Sequence, residues 1–227
     1  AVGGTADALA KPKEVTLKEL LLAGGWYFII PMAILSILAF ALVIFYFFAL
    51  RRDRIVSREY VSQAKQLISG GDLTTLEAVS RQTPDVSSRV VAVATRAYLD
   101  NAAVSHEVVR EIAESEGARQ ANNLMQLISY LNDIGVIAPM IGLLGTVVGL
   151  IRSFSVLSND VGSARALMLA EGVSQALVNT ALGLIIAIPA LGFYAFFRGR
   201  VQRMVSELES VVTELVGRLA GARTPGV

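Results

Sequence analysis

The sequence predicts an all-α membrane protein with three transmembrane helices and long helical extensions on one side of the bilayer. Apolar residues make up 54% of the 227 positions and charged residues only 17%, with a mean hydropathy of +0.58, a balance foreign to a water-facing globule of this size. Three stretches run uncharged far enough to cross a hydrocarbon core, which takes about 20 apolar residues. The polar remainder carries helical periodicity and no strand alternation.

The expected order is an amino-terminal segment outside the cytoplasm (1–25), a first span (26–50), a cytoplasmic helical domain (51–131), a second span (132–157), a short periplasmic loop (158–167), a third span (168–197) and a cytoplasmic carboxyl-terminal helix (198–227). The first span reads WYFIIPMAILSILAFALVIFYFFAL, with Trp26 and Tyr27 at one interface, Tyr46 near the other and RRDR following at Arg51–Arg54. Lysine and arginine collect on cytoplasmic flanks, so the amino terminus is expected outside. The second uncharged run is Ile134 to Ile151; the third, Gly172 to Phe197, is closed by RGRVQR. Each of the two cytoplasmic exits carries three arginines, whereas the link between spans two and three has Arg165 against Asp160, and Arg152 is the one basic residue on the opposite side. Ala1 in place of an initiating methionine fits a removed leader and equally a trimmed chain.

Between the first two spans, Ile55, Val56, Tyr60, Leu67 and Ile68 fit one helix stopped by Gly70 and Gly71. Asp72 or Thr74 can cap the next, Thr74 forming a capping box with Glu77. Pro84 and Asp85 begin a third that breaks at Asn101, with His106 and Ser105 at the following start. Val108, Ile112, Met125, Ile128 and Leu131 recur at helical spacing into the second span, predicting one long helix, part wet and part buried. The tail repeats this in reverse: Val201, Met204, Val205, Leu208, Val212, Leu215, Val216 and Leu219 form a three-four stripe opposite Glu207, Glu209, Glu214 and Arg218, which must pack on the preceding helices or on another copy of the chain.

The second span contains GLLGTVVGLIRS. In lipid, helices associate through close backbone approach and hydrogen bonds, and small residues permit both. Gly142 and Thr146 form one row, Gly145, Gly149 and Ser153 another, answered on the third span by Gly172, Ala176, Thr180, Gly183 and Ala187. Glu171, Gln175 and Asn179 follow at i+4 on that span and share a broad face. Polar groups at membrane depth face a bundle interior or a watery path, so this face admits two readings, hydrogen-bonding glue between helices or the lining of an ion path. Thr146 and Thr180 lie roughly 20 and 27 Å from their cytoplasmic ends at 1.5 Å per residue; in a ring of several copies they could line one polar level. Pro139 and Pro189 fall in the cytoplasmic half of their spans and can kink them.

APMIGLLGTVVGLIRSF, followed by EGVSQALVNTALGLIIAIPAL, resembles the second and third spans of the ExbB/TolQ/MotA family of proton-channel proteins, and the three-span layout resembles its ExbB and TolQ branch. The resemblance is close over about a third of the chain. It implies a homo-oligomeric ring, a pentamer, around the single transmembrane helices of an ExbD/TolR-like partner whose aspartate binds and releases protons. That work reaches the outer membrane through a TonB/TolA-like protein. It also implies that Thr146 and Thr180 line the lumen, their hydroxyls able to donate and accept. Many relatives place a glutamate where this chain has Gln175, and an amide cannot titrate; Glu171 either replaces it or is an interfacial carboxylate. Proton binding then falls to the partner.

Other chemistries find no support. GLLGTVVG lacks the GK[ST] of a phosphate loop, so ATP is not expected as the energy source. A net charge of +1, with no basic aromatic face, argues against nucleic acid. No cysteine is present and His106 stands alone, so no metal centre or cofactor is expected. The acidic run Glu107, Glu111, Glu114 and Glu116 reads as a solvated face paired through Arg110, and no nucleophile with a spaced base suggests an enzyme. The expectation is an inner-membrane subunit of a proton-motive-force-driven motor for TonB-dependent transport or related envelope work, with sodium not excluded as coupling ion. The competing readings are a passive membrane scaffold and a flagellar or gliding-type stator subunit; the missing fourth span and short loop disfavour the stator.

Overall fold

The computed structural model describes residues 26–51, 55–101, 103–157 and 164–221, and every regular element among them is an α-helix. The segment 1–25, Arg52–Arg54, Asp160 with the rest of 158–163, and 222–227 lie outside the described residues, as do the side chains of Trp26 and Arg165. The helices are α1 (Trp26–Ala49), α2 (Arg58–Ser69), α3 (Leu73–Gln82), α4 (Val86–Asp100), α5 (His106–Leu157) and α6 (Ala164–Gly221).

Three of them, α1, α5 and α6, are long and apolar enough to cross a membrane. At 52 and 58 residues, α5 and α6 contain about 78 and 87 Å of helical rise, more than twice a hydrocarbon core of about 30 Å. Pro139 and Pro189 sit inside α5 and α6 without ending them.

By contact the chain divides into two units, residues 1–38 with 134–189, and residues 39–133 with 190–227. In the first, α5 and α6 pack along a ladder of small residues, and α1 places Ile29, Met32, Ala33 and Ser36 beside Leu182, Ile185 and Ile186 of α6. Large apolar side chains point away from these contacts: Met140 is 63% exposed and Ile188 68%. In water such surface would drive aggregation, whereas acyl chains or neighbouring apolar helices accept it. Arg152, at the end of the apolar run of α5, has its guanidinium 6.0 Å from the ring centre of Tyr27, a cation–π contact that gives the charge a local partner.

The second unit has a conventional core. Tyr46 of α1 is fully buried, donates its hydroxyl to the Leu127 carbonyl of α5 and meets Phe197 of α6 edge-on at 5.6 Å. Along α6, Val201, Met204, Leu208, Val212, Leu215, Val216 and Leu219 are buried, and Lys65 of α2 pairs with Glu214 at 2.8 Å. The tail therefore covers its stripe within its own chain.

Local chemistry moves several boundaries. Ile55 and Val56 are buried but precede α2, because Ser57 caps that helix by accepting from the Tyr60 N–H. Gly70 and Gly71 end it, and Gly71, at φ 70°, takes the left-handed turn that lets the Asp72 N–H reach the Leu67 carbonyl at 3.1 Å. Asp72, not Thr74, caps α3, accepting from the Thr75 N–H at 3.0 Å and from the Thr74 hydroxyl at 2.9 Å. At the start of α5 the inward phase is one residue off the expected one, Val109 and Ala113 being buried while Val108 is 43% exposed, whereas further along Ile128 and Leu131 are buried as expected. Arg110 pairs with Glu114 at 2.7 Å, the i+4 partner, rather than directly with Glu107 or Glu111.

Candidate functional site: the seam between α5 and α6

The seam is built by absent side chains. A Cβ placed on Gly142 would lie 2.8 Å from the Asn179 carbonyl oxygen and 3.1 Å from the Thr180 Cα; one on Gly149 would lie 3.1 Å from the Ala176 Cβ. From the other helix, a Cβ on Gly183 would come 2.7 Å from the Ala138 carbonyl oxygen and 3.2 Å from the Pro139 Cα, while Gly172 meets the Ser153 hydroxyl. Both backbones thus approach as only glycine allows. Gly142, Gly145, Gly149 and Ser153 all face α6, so the two rows read in the sequence form one surface.

Asn179 is only 2% exposed, and a Cβ on Gly145 would lie 2.9 Å from both its Cβ and its Nδ2. Its Oδ1 is enclosed with no protein hydrogen-bond donor in reach. The expected polar face is graded: Glu171 is exposed, Gln175 half-buried and Asn179 buried. Thr146 and Thr180 flank the seam, both half-buried. The Thr146 hydroxyl donates to its own helix at the Leu143 carbonyl, 2.6 Å away, and that of Ser153 to the Gly149 carbonyl at 2.9 Å; such back-bonding satisfies a hydroxyl without a second helix. Because Gly145 meets Asn179 and the helices run antiparallel, Thr146 and Thr180 each step one residue away from that contact. Their levels differ by about 3 Å at 1.5 Å rise per residue, less than one turn.

Pro139 lies beside Gly183, so the close approach coincides with the proline ring of α5. Ala138, fully buried there, is a seam residue that sequence reading did not single out; its small side chain one turn before Gly142 was the available signal.

This fold and seam define a helical membrane protein whose second and third spans are joined through small residues, with a few polar groups held at the junction. The profile of the MotA/TolQ/ExbB proton channel family matches residues 82–210, more than half of the chain, and the chain belongs to that family. Over 94 residues it is 38% identical to the biopolymer transport protein exbB1 of Vibrio cholerae serotype O1, covering 41% of this chain and 40% of that protein. Over 87 residues it is 36% identical to the biopolymer transport protein ExbB of Salmonella typhimurium, covering 38% and 35% respectively. It is 29% identical over 157 residues to the Tol-Pal system protein TolQ of Pseudomonas aeruginosa, covering 64% of this chain and 67% of TolQ. The chain spans less than half the length of the two ExbB relatives.

Proposed function

We propose that this protein is the ring-forming subunit of an inner-membrane motor driven by the proton motive force, with its amino terminus periplasmic and its carboxyl terminus cytoplasmic. Five copies surround the single-span helices of an ExbD/TolR-like partner, and the motion reaches the envelope through a TonB/TolA-like protein. The observation that carries this reading is the pair of hydroxyls, Thr146 and Thr180, less than a turn apart beside a seam that only small residues can form. Membership of a proton channel family supports the coupling ion. With Gln175 unable to titrate, the exchangeable proton resides on the partner's carboxylate, and the two threonines supply a neutral polar lining that tolerates its charge as it comes and goes.

Thr146→Val and Thr180→Val keep shape and delete the hydroxyl. Both variants should assemble with the partner and insert normally, while uncoupler-sensitive energised transport in cells drops to background. Full transport in both would remove the threonines from the lumen. A passive scaffold would share the seam, but its work would continue when an uncoupler collapses the gradient.

A further inference from the structure

Away from the seam, α3, α4 and α5 enclose an open cleft of about 610 Å³ whose wall carries Arg81, Arg89, Arg96 and Arg119 against a single carboxylate, Glu116. Arg89 and Arg96 stand two turns apart on one face of α4, Arg81 comes from the end of α3 and Arg119 from α5. Three of the four have partners. Arg119 forks onto both oxygens of Glu116, each bond 2.7 Å; Arg81 meets Glu77 at 2.5 Å; Arg96 meets Asp100 at 2.9 Å, with Glu77 3.7 Å away. Among the described residues Arg89 forms no direct ion pair. The hydrogen bond from Arg119 first, and then that from Gln120, hold the Glu116 carboxyl below the usual range, and the Arg89 charge adds a smaller pull through space.

We propose that this cleft binds a small soluble anion carrying two or more phosphate groups, such as pyrophosphate or a nucleoside di- or triphosphate. Guanidinium groups present paired N–H donors that match phosphate oxygens two at a time, and four of them converge here from three helices. The side chains of Arg81, Arg96 and Arg119 are 60%, 53% and 66% exposed. Their carboxylate partners differ, Glu77 and Glu116 being only 14% and 11% exposed against 59% for Asp100. A denser anion can draw Arg96 from the weakly held pair with Asp100 and share Arg81 and Arg119 with Glu77 and Glu116 through the guanidinium N–H groups those carboxylates leave free. The volume suits a small molecule, and Pro84, Ala92 and Val93 supply apolar wall for its uncharged part. A lipid phosphate is the less favoured source: from Arg119 to Asp133, where the uncharged run begins, α5 rises about 21 Å.

The test is calorimetric titration of the full chain in nanodiscs with pyrophosphate at low salt. Saturable binding is expected, weakened about tenfold or more by Arg89→Ala with Arg96→Ala, as loss of charge-assisted contacts requires. Glu116→Gln, which removes the competing carboxylate, should strengthen it, and Arg218→Ala, outside the cleft, should leave it unchanged. A parallel arm compares neutral with phosphatidylglycerol nanodiscs and reads the melting temperature of wild type and Arg89→Ala. No saturable binding, equal affinity in the cleft variants, or a cleft-dependent response to anionic lipid alone would each overturn the proposal. If the double variant loses helicity, Arg89→Gln alone, at an exposed position with no direct ion pair, gives the same readout.

Discussion

Gly145 lies so close to Asn179 that a single added methyl would sit 2.9 Å from that side chain's Cβ and Nδ2. Gly145→Ala must therefore push α5 and α6 apart or displace a buried amide, at about 1–3 kcal/mol, the usual cost of overpacking. Gly183→Ala should cost at least as much, because the obstacle is the Ala138 carbonyl, 2.7 Å away in the backbone, which no rotamer change can move. Gly192→Ala is the control, with nothing within 4 Å of the new methyl; it should be neutral or gain up to about 1 kcal/mol from helix propensity. Thermal unfolding in one detergent ranks the three. Equal melting temperatures for Gly145→Ala and Gly192→Ala would mean that the seam is not tight.

Asp85 and Asp72 are both helix caps, yet they should not respond alike. Asp72 is exposed and serves only the start of α3. Asp85 is 2% exposed; it accepts from the Ser88 N–H at 2.5 Å and the Ser87 hydroxyl at 3.1 Å, and it also takes the Ser57 N–H at 3.4 Å from the start of α2. Asp72→Ala should cost about 1 kcal/mol, the usual value of a lost cap. Asp85→Ala should cost about 2–3 kcal/mol, because it also strands buried donors. Chemical denaturation followed by helicity measures both, and equal losses would show that Asp85 does not join the two helices.

Alkaline pH should weaken the polar unit through Tyr60. Its hydroxyl is 2.7 Å from Ser80 Oγ, and Ser80 donates onward to the Leu76 carbonyl at 2.6 Å, so Tyr60 is the donor between them. Burial pushes the phenol's pKa far above its ordinary value, the Ser80 contact opposing and Asp85 adding to the rise. The folded state therefore keeps a proton that the unfolded chain releases near pH 10. Stability from this group is intact below about pH 10 and falls above it, by up to about 1.4 kcal/mol per pH unit. Unfolding titrations between about pH 8 and 11 should show this slope in the wild type and a shallower one in Tyr60→Phe. A Tyr60→Phe curve parallel to the wild type would assign the alkaline loss elsewhere.

The three spans were legible because lipid tolerates few charges, so an uncharged run of sufficient length has little else to become. The amphipathic tail of α6 was legible for a related reason: a strict three-four stripe marks the face that must bury, although whether its own chain or a second copy covers it was decided only by the packing. Helix starts were legible in part: Asp72 was one of two candidate caps and Asp85 stood at an expected start, and both cap, whereas Ser57 was not singled out, because a run such as Ile55–Val56 carries the same apolarity inside or outside a helix. The one-residue phase difference between Val108 and Val109 arose similarly, since both are valines and only packing tells them apart.

At the seam, the residue types were readable and their partners were not. Glycines and threonines at small-residue spacing announce close helix contact, a property of one strand of text. Whether Asn179 looks into a cavity or presses on Gly145 depends on the register of two antiparallel helices, a rotation and translation that neither helix encodes alone. The same holds for the arginine cleft, whose members come from three helices spread over nearly forty positions. Hydrophobic runs act residue by residue along the chain and survive as pattern; register and convergence are settled by the packing of whole faces, where close backbone approach selects one arrangement of the helices.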